Sequence, residues 1–132
     1  MYSIDYKVTV SDINYGGHMG NERALLLFQQ ARIDLFKSLD VSEIDTGEGV
    51  GVIQTDAHVY YKGEGFIGDT LKISIVDIEM KKISLNFKYE VLNQKGFKIL
   101  EGSTLILAYN YNLKKIGRFS EVFLNRLRET IN

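Results

Sequence analysis

The chain has 132 residues, 45% of them hydrophobic and 25% charged, with a formal net charge of −1 at pH 7; this suits a single domain, residues 1–132, with a proper core, and the lack of any block of like charge argues against a nucleic-acid binder. With no cysteine in the chain, disulfide frameworks, thiolate nucleophiles and Cys-ligated zinc are excluded, and two histidines, His18 and His58, are too few for a His-rich metal site, so no metal or cofactor is expected. Apolar runs fall far short of the ~20 residues that a membrane helix needs, so no membrane partner is expected.

The first segment, "YSIDYKVTV", alternates Tyr2, Ile4, Tyr6, Val8 and Val10 against Ser3, Asp5, Lys7 and Thr9. A period of two predicts a half-buried strand. The same segment lacks a basic start followed by an apolar stretch, so no secretory signal is expected and the protein reads as cytoplasmic. Next comes "DINYGGHMGN", residues 12–21, which breaks the alternation with loop chemistry. Then "ERALLLFQQARIDLFKSL" places Ala24, Leu27, Phe28, Ala31, Leu35 and Leu39 on one helical stripe. Leu25, Leu26, Ile33 and Phe36 broaden the stripe, which predicts a helix that is largely enclosed. Asp45, Thr46, Gly47 and Gly49 mark a loop.

Four strand-like segments follow: Val50 to Lys62, Asp69 to Met80, "KISLNFKYEVLN", and Phe97 to Tyr111, with a hairpin turn at Asn93–Gly96. The chain has no proline, so its turns rest on glycine, Asn and Asp. Lys114 to Arg118 read as a basic turn, and "SEVFLNRLRETI" as a short amphipathic helix capped by Ser120. Strands joined by short turns are antiparallel. The expected architecture is therefore α+β: a curved antiparallel β-sheet wrapped around a long central helix, plus a short C-terminal helix. Apolar residues assigned to the outer face and edges, such as Val76, Ile78, Leu100 and Ile106, call for a second copy, so a homodimer or homotetramer is expected.

"DINYGGHMGN" concentrates the polar candidates. Gly16 and Gly17 permit close backbone approach by a ligand, or make a turn. A helix start favours developing negative charge through its free N–H groups. His18 is a candidate general base, histidine being the residue type most often used in that role, or it packs near the helix start. Asn14 cannot act as a base, because its amide does not titrate usefully; it holds a water, donates to an oxyanion, or bonds its own turn. Asp12 shares a face with Asn14 on an extended chain, or caps a turn. Asn21 is read as the helix N-cap and Glu22 as a first-turn acid suited to the helix dipole. Tyr15, Met19, Phe28, Tyr60 and Tyr61 are candidates to line a pocket, although such residues more often belong to a core.

This order of elements resembles the hotdog-fold acyl-CoA thioesterases, in particular the 4-hydroxybenzoyl-CoA thioesterase branch and its acyl-carrier-protein thioesterase relatives. That family shows Asp-x-Asp, a short gap, Gly-His-Val-Asn-Asn, and a helix with Ala-Arg near its end. In "SDINYGGHMGNERALLLFQQAR", Asp12 matches the first acid, Gly17-His18 the Gly-His, Asn21 the second Asn and Ala31-Arg32 the Ala-Arg. "VYYKGEGFIGDTLKI" and "GSTLILAYN" resemble later parts of the family, so the likeness spans nearly the whole chain.

Three positions depart from the pattern. The second acid is Asn14, the first Asn is Gly20, and the usual proline after the second long strand is Glu64. The resemblance implies hydrolysis of an acyl-CoA or acyl-carrier-protein thioester, with Asn14 where the family carries its usual catalytic acid. The replacement base is then His18 or a carboxylate among Asp12, Glu22, Asp56 and Glu64, with Asp56 or Glu64 supplied by a partner copy. Lys81 and Lys82, and Lys114, Lys115 and Arg118, are candidates for the phosphates of CoA. The alternative is a member of the family that binds an acyl thioester or another small ligand without hydrolysing it.

Overall fold

The computed structural model describes all residues, Met1–Asn132. Strand β1 (Tyr2–Lys7) leads through a 3-10 turn at Val10–Asp12 into helix α1 (Arg23–Ser38). Strands β2 (Val50–Tyr61), β3 (Thr70–Met80), β4 (Ser84–Leu92) and β5 (Lys98–Asn110) follow, then a short β6 (Lys115–Ile116) and helix α2 (Glu121–Ile131). The basic turn expected at 114–118 thus contains a two-residue strand paired with β5.

All strands are antiparallel, in the order β1-β3-β4-β5-β2. The sheet curves around α1, whose stripe Ala24, Leu27, Phe28, Ala31 and Leu35 is buried against it. Phe28 stacks on Tyr89 of β4 with ring centroids 4.4 Å apart. Gly102 of β5, the register partner of Tyr89, makes this approach possible, since a Cβ there would stand 2.8 Å from the Phe28 ring. Helix α2 joins the same core, with Phe123 edge-on to Phe36. Its N-cap is Ser120, whose side chain accepts the Phe123 N–H, as expected.

Three expectations about burial are corrected. The enclosure of α1 is not complete: Phe36 is buried, but Leu25, Leu26 and Ile33 are 39%, 50% and 42% exposed. One face of the helix meets the sheet, and the opposite face is open, with Gln29, Gln30 and Lys37 beside these apolar residues. Conversely, Ile78, Leu100 and Ile106 belong to the core rather than the outer face, and Val76 is half-buried. An extra residue at Val76 in β3 shifts the alternation and turns Ile78 inward, and an extra residue at Ile99 in β5 does the same for Leu100, while Ile106 lies on the inward alternation of β5 with Thr104 and Ala108. Val10, read as the last inward residue of the first strand, is exposed on the 3-10 turn.

The long β2 forms one edge of the sheet. Its first residues are covered by the loop after α1, through the Val52 N–H to Glu43 carbonyl bond of 2.8 Å. From Ile53 to Tyr61 no backbone group of another segment bonds to its outer side. No helix is long and apolar enough to cross a membrane.

Candidate active site

The loop between β1 and α1 folds as a miniature hairpin. Asn14 N–H donates to the His18 carbonyl (2.9 Å), Gly17 N–H to the Asn14 carbonyl (3.0 Å), and Ile13 bridges Met19. Gly17 has φ +77°, a left-handed conformation that glycine adopts without strain. The Asn14 side chain accepts the Gly16 N–H at 3.0 Å, an Asx turn. Both glycine amides are therefore engaged inside the turn and are not the free donors the sequence suggested. Tyr15, at the tip, is fully exposed.

Beyond this turn the strand of residues 17–19 is tied to the segment after β2. Met19 N–H donates to the Gly65 carbonyl (2.7 Å) and His18 bridges Phe66. This zipper forms a cleft of about 470 Å³, within the usual range for a ligand site. Asn14, His18 and Asn21 line one wall, Tyr61, Lys62 and Glu64 the other, and Met19 and Leu100 contribute apolar surface. The Tyr61 hydroxyl donates to the Asn21 carbonyl at 2.8 Å and joins the two walls.

His18 Nδ1 lies 3.2 Å from Glu64 Oε2. The oxygen lies off the N–H axis, so this is an electrostatic contact rather than an aligned hydrogen bond, and Nδ1 is shielded from solvent with no other polar partner. The Phe66 ring tilts against the imidazole with centroids 5.1 Å apart. The imidazole is otherwise open: its side chain is 39% exposed.

The start of α1 differs from expectation. The residue in the N-cap position is Glu22, not Asn21, and no side chain caps the helix. The first α1 amides with partners are those of Arg23, to Gly20, and Ala24, to Asn21. The amides of Asn21 and Glu22 meet no protein acceptor. The unpaired donors of the helix start are thus at positions 21 and 22, beside the cleft. Gly20 is buried, and the place of its missing side chain is filled by Glu22, whose carboxyl carbon lies 2.7 Å from it. Glu22 folds back over the loop and does not line the cleft.

Asp12 is held elsewhere. Its Oδ2 accepts from the Tyr6 hydroxyl (2.7 Å), the Thr9 N–H (2.8 Å) and the Thr9 hydroxyl (3.1 Å). Arg23 Nε stands 3.8 Å from its other oxygen. Burial acts to raise its pKa, but the bonds from Thr9 and Tyr6 and the Arg23 charge outweigh burial and hold the carboxyl below its ordinary value. This acid fastens β1 to the 3-10 turn.

The remaining candidates lie outside the cleft within one chain. Asp56 pairs with His58 (3.5 Å) on the exposed edge strand, and Tyr60 projects from the same strand. Lys81 and Lys82 occupy the β3–β4 turn, where the Lys82 carbonyl accepts the Phe119 N–H. That turn lies beside the C-terminal end of β5, because Ser84 pairs with Leu107. The residues from Leu100 to Asn110 in β5 span roughly 33 Å as strand. Lys81, Lys82, Lys114, Lys115 and Arg118 therefore sit at the opposite end of the sheet from the cleft. The cation that does line it is Lys62, paired with Glu101 at 3.5 Å. Sequence reasoning passed over Lys62; its only signal was its place between Tyr61 and Gly63, where the strand ends.

Comparison with known proteins gives a consistent answer. The family model described as thioesterase-like superfamily matches residues 8–127. No curated protein matches by sequence. Among solved structures, a Staphylococcus aureus protein in complex with CoA superposes with a TM-score of 0.89 at 14% identity, covering 98% of this chain and 83% of that one. A 1,4-dihydroxy-2-naphthoyl-CoA thioesterase from Synechocystis gives 0.87 at 12% identity, covering 99% and 98%. A DHNA-CoA thioesterase from Staphylococcus aureus gives 0.81 at 21% identity, covering 98% and 87%. At these identities the likeness speaks for the fold, which is the hotdog fold.

Proposed function

Since the chain belongs to the thioesterase-like superfamily, we propose that it hydrolyses an acyl-CoA thioester to the free acid and CoA. The observation that carries this reading is the convergence, in one cleft, of an open imidazole with the unpaired Asn21 amide at the start of a helix. Thioester hydrolysis needs both: a group to take a proton from water, and donors for the carbonyl oxygen as it gains charge.

In this reading the carbonyl oxygen is received by the Asn21 N–H, where the α1 dipole adds to its pull. His18 takes a proton from water as the water oxygen attacks the carbonyl carbon. The tetrahedral intermediate collapses, the C–S bond breaks, and the sulfur leaves with its electron pair. The imidazolium returns the proton to that sulfur, so the products are acid and thiol. Asn14 lines the cleft and holds the turn, while His18 takes the proton-transfer role that the family's acid would have there. Acyl-carrier-protein thioesters present the same reacting group and belong in the same substrate panel.

Two copies would pair along β2. A long strand with an uncovered edge invites a matching strand, and a two-fold axis satisfies both copies at once. The exposed Leu25, Leu26 and Ile33 of α1 add apolar surface that a larger assembly would cover. Sedimentation velocity tests this; a monomer at micromolar concentration would count against it.

The test of the activity is direct: purified protein against acyl-CoAs of graded alkyl chain and aryl type, with a dye that reports free thiol. Turnover on at least one class is expected. Tight CoA-ester binding without turnover on any would favour the non-hydrolytic alternative.

A further inference from the structure

We propose that Glu64 is a positioning residue that sets the tautomer of His18, keeping the proton on Nδ1 and leaving Nε2 with its lone pair free to accept. This rests on the reading of His18 as the base for thioester hydrolysis.

The sequence supplies the acid at a point where the resembling family carries proline, a residue with no side-chain acceptor. The backbone then fixes its place. Residues 64–66 are zipped to residues 18–19 by the Met19 N–H to Gly65 carbonyl bond and by the His18–Phe66 bridge. Glu64 is therefore held next to His18 by main chain, whatever its side chain does. The carboxylate Oε2 ends 3.2 Å from Nδ1.

The surroundings make this contact directional. Nδ1 has no solvent access and no hydrogen-bond partner elsewhere. The exposure of the ring therefore comes from its other atoms. A buried N–H without an acceptor is costly, and a carboxylate accepts but does not donate. The protonated nitrogen is thus the one facing Glu64. The second nitrogen, Nε2, is left as an acceptor on the Gly16 side, where a Cβ at Gly16 would stand 3.5 Å from it. The off-axis approach of Oε2 is no obstacle: Glu64 is 62% exposed and free to turn, and such bonds commonly tighten only when substrate is bound. The carboxylate also faces the ring as it becomes imidazolium during turnover, and favours that charge.

The only other histidine–carboxylate pair lacks this arrangement. In Asp56–His58 both side chains are more than half exposed, and the acid faces Nε2 at 3.5 Å. Solvent can replace that acid.

The chain's two histidines make the test simple. Long-range proton–nitrogen correlation spectra of 15N-labelled protein, at about pH 8.5 so that neutral rings dominate, report which ring nitrogen carries the proton. His58→Asn assigns the signals. The Nδ1–H form is expected for His18 in the unsubstituted protein, and a shift toward Nε2–H in Glu64→Ala. With an acyl-CoA substrate, Glu64→Ala is expected to lower kcat by about tenfold or more with KM changed less than about threefold, and Glu64→Asp to recover part of the loss. A thermal melt close to the unsubstituted protein's shows that the variant is folded. An Nε2–H tautomer in the unsubstituted protein, or the same tautomer in both proteins, overturns the proposal even if thioesters are hydrolysed. Absence of turnover overturns the hydrolase reading instead, and the spectra still decide the role of Glu64.

Discussion

Gly16 lies against the edge of the His18 imidazole: a Cβ at Gly16 would stand 2.8 Å from the ring's Cδ2. The backbone at Gly16 is not left-handed, so alanine is sterically allowed there apart from this one contact. The clash is with a movable side chain, so the ring yields and the fold does not. Gly16→Ala is expected to reduce kcat by about tenfold through displacement of the imidazole, while the melting temperature stays within a few degrees. Paired kinetics and calorimetry check it. A full loss of stability would place Gly16 in the fold rather than in the site.

Asn14→Asp separates the two readings of the cleft. The aspartate oxygen can accept the Gly16 N–H as the asparagine oxygen does, so the turn survives. If His18 is the base, a new carboxylate adds little, and kcat is expected to change less than about threefold. A rise from no turnover to measurable hydrolysis would mark the native protein as a binder that has lost its acid. The acyl-CoA assay with the thiol dye reads the difference.

Asp12→Asn is expected to destabilise the protein at neutral pH by about 1–2 kcal/mol, because Oδ2 gathers three donors that a charged acceptor holds best. The pH dependence follows from the lowered pKa of Asp12. A depressed native pKa gives stability that is present above the unfolded value, about 3.9, and is lost as pH falls through the native value. The gap between the two proteins should therefore be constant from neutral pH to about pH 5 and narrow below about pH 4. Urea unfolding at a series of pH values measures it.

Arg32 is 3% exposed and ties α1 to the far wall of the sheet. Its Nε donates to Glu43 at 2.9 Å, and Nη1 donates to the Tyr89 and Thr104 hydroxyls at 3.2 and 3.3 Å. Arg32→Ala removes the guanidinium from a buried network and is expected to cost about 3–5 kcal/mol. Glu43→Gln should cost less, since Glu43 is partly exposed and water can solvate what remains. Denaturant midpoints of the two variants rank them, and equal losses would mean that the ion pair itself holds the helix.

Much of the frame is legible in the chain. The period-two segments from Val50 onward, the helical stripe from Ala24 to Leu35 and the Ser120 cap all depend on neighbours close in sequence, and each forms where the pattern places it. The failures have a common cause. Leu25, Leu26 and Ile33 are apolar yet open, and Ile78, Leu100 and Ile106 are buried where an outer face was expected. Hydrophobic pattern says that a residue suits burial; bulges and the number of available partners decide whether it is buried.

The cleft divides in the same way. The residues themselves established that "DINYGGHMGN" is a polar loop between a strand and a helix, and the family resemblance marked Asn14 as standing where an acid is usual. Which donors are free there was a tertiary result: Asn14 engages the Gly16 and Gly17 amides, and those of Asn21 and Glu22 remain. So was the partner of His18. Asp12, six residues away, is held by Tyr6 and Thr9, whereas Glu64, forty-six positions later, reaches the ring. Local sequence sets turns and periodicities because those depend on dihedrals and nearby hydrogen bonds. The pairing of an imidazole with a distant carboxylate depends on how two segments are zipped together, and that only the folded sheet decides.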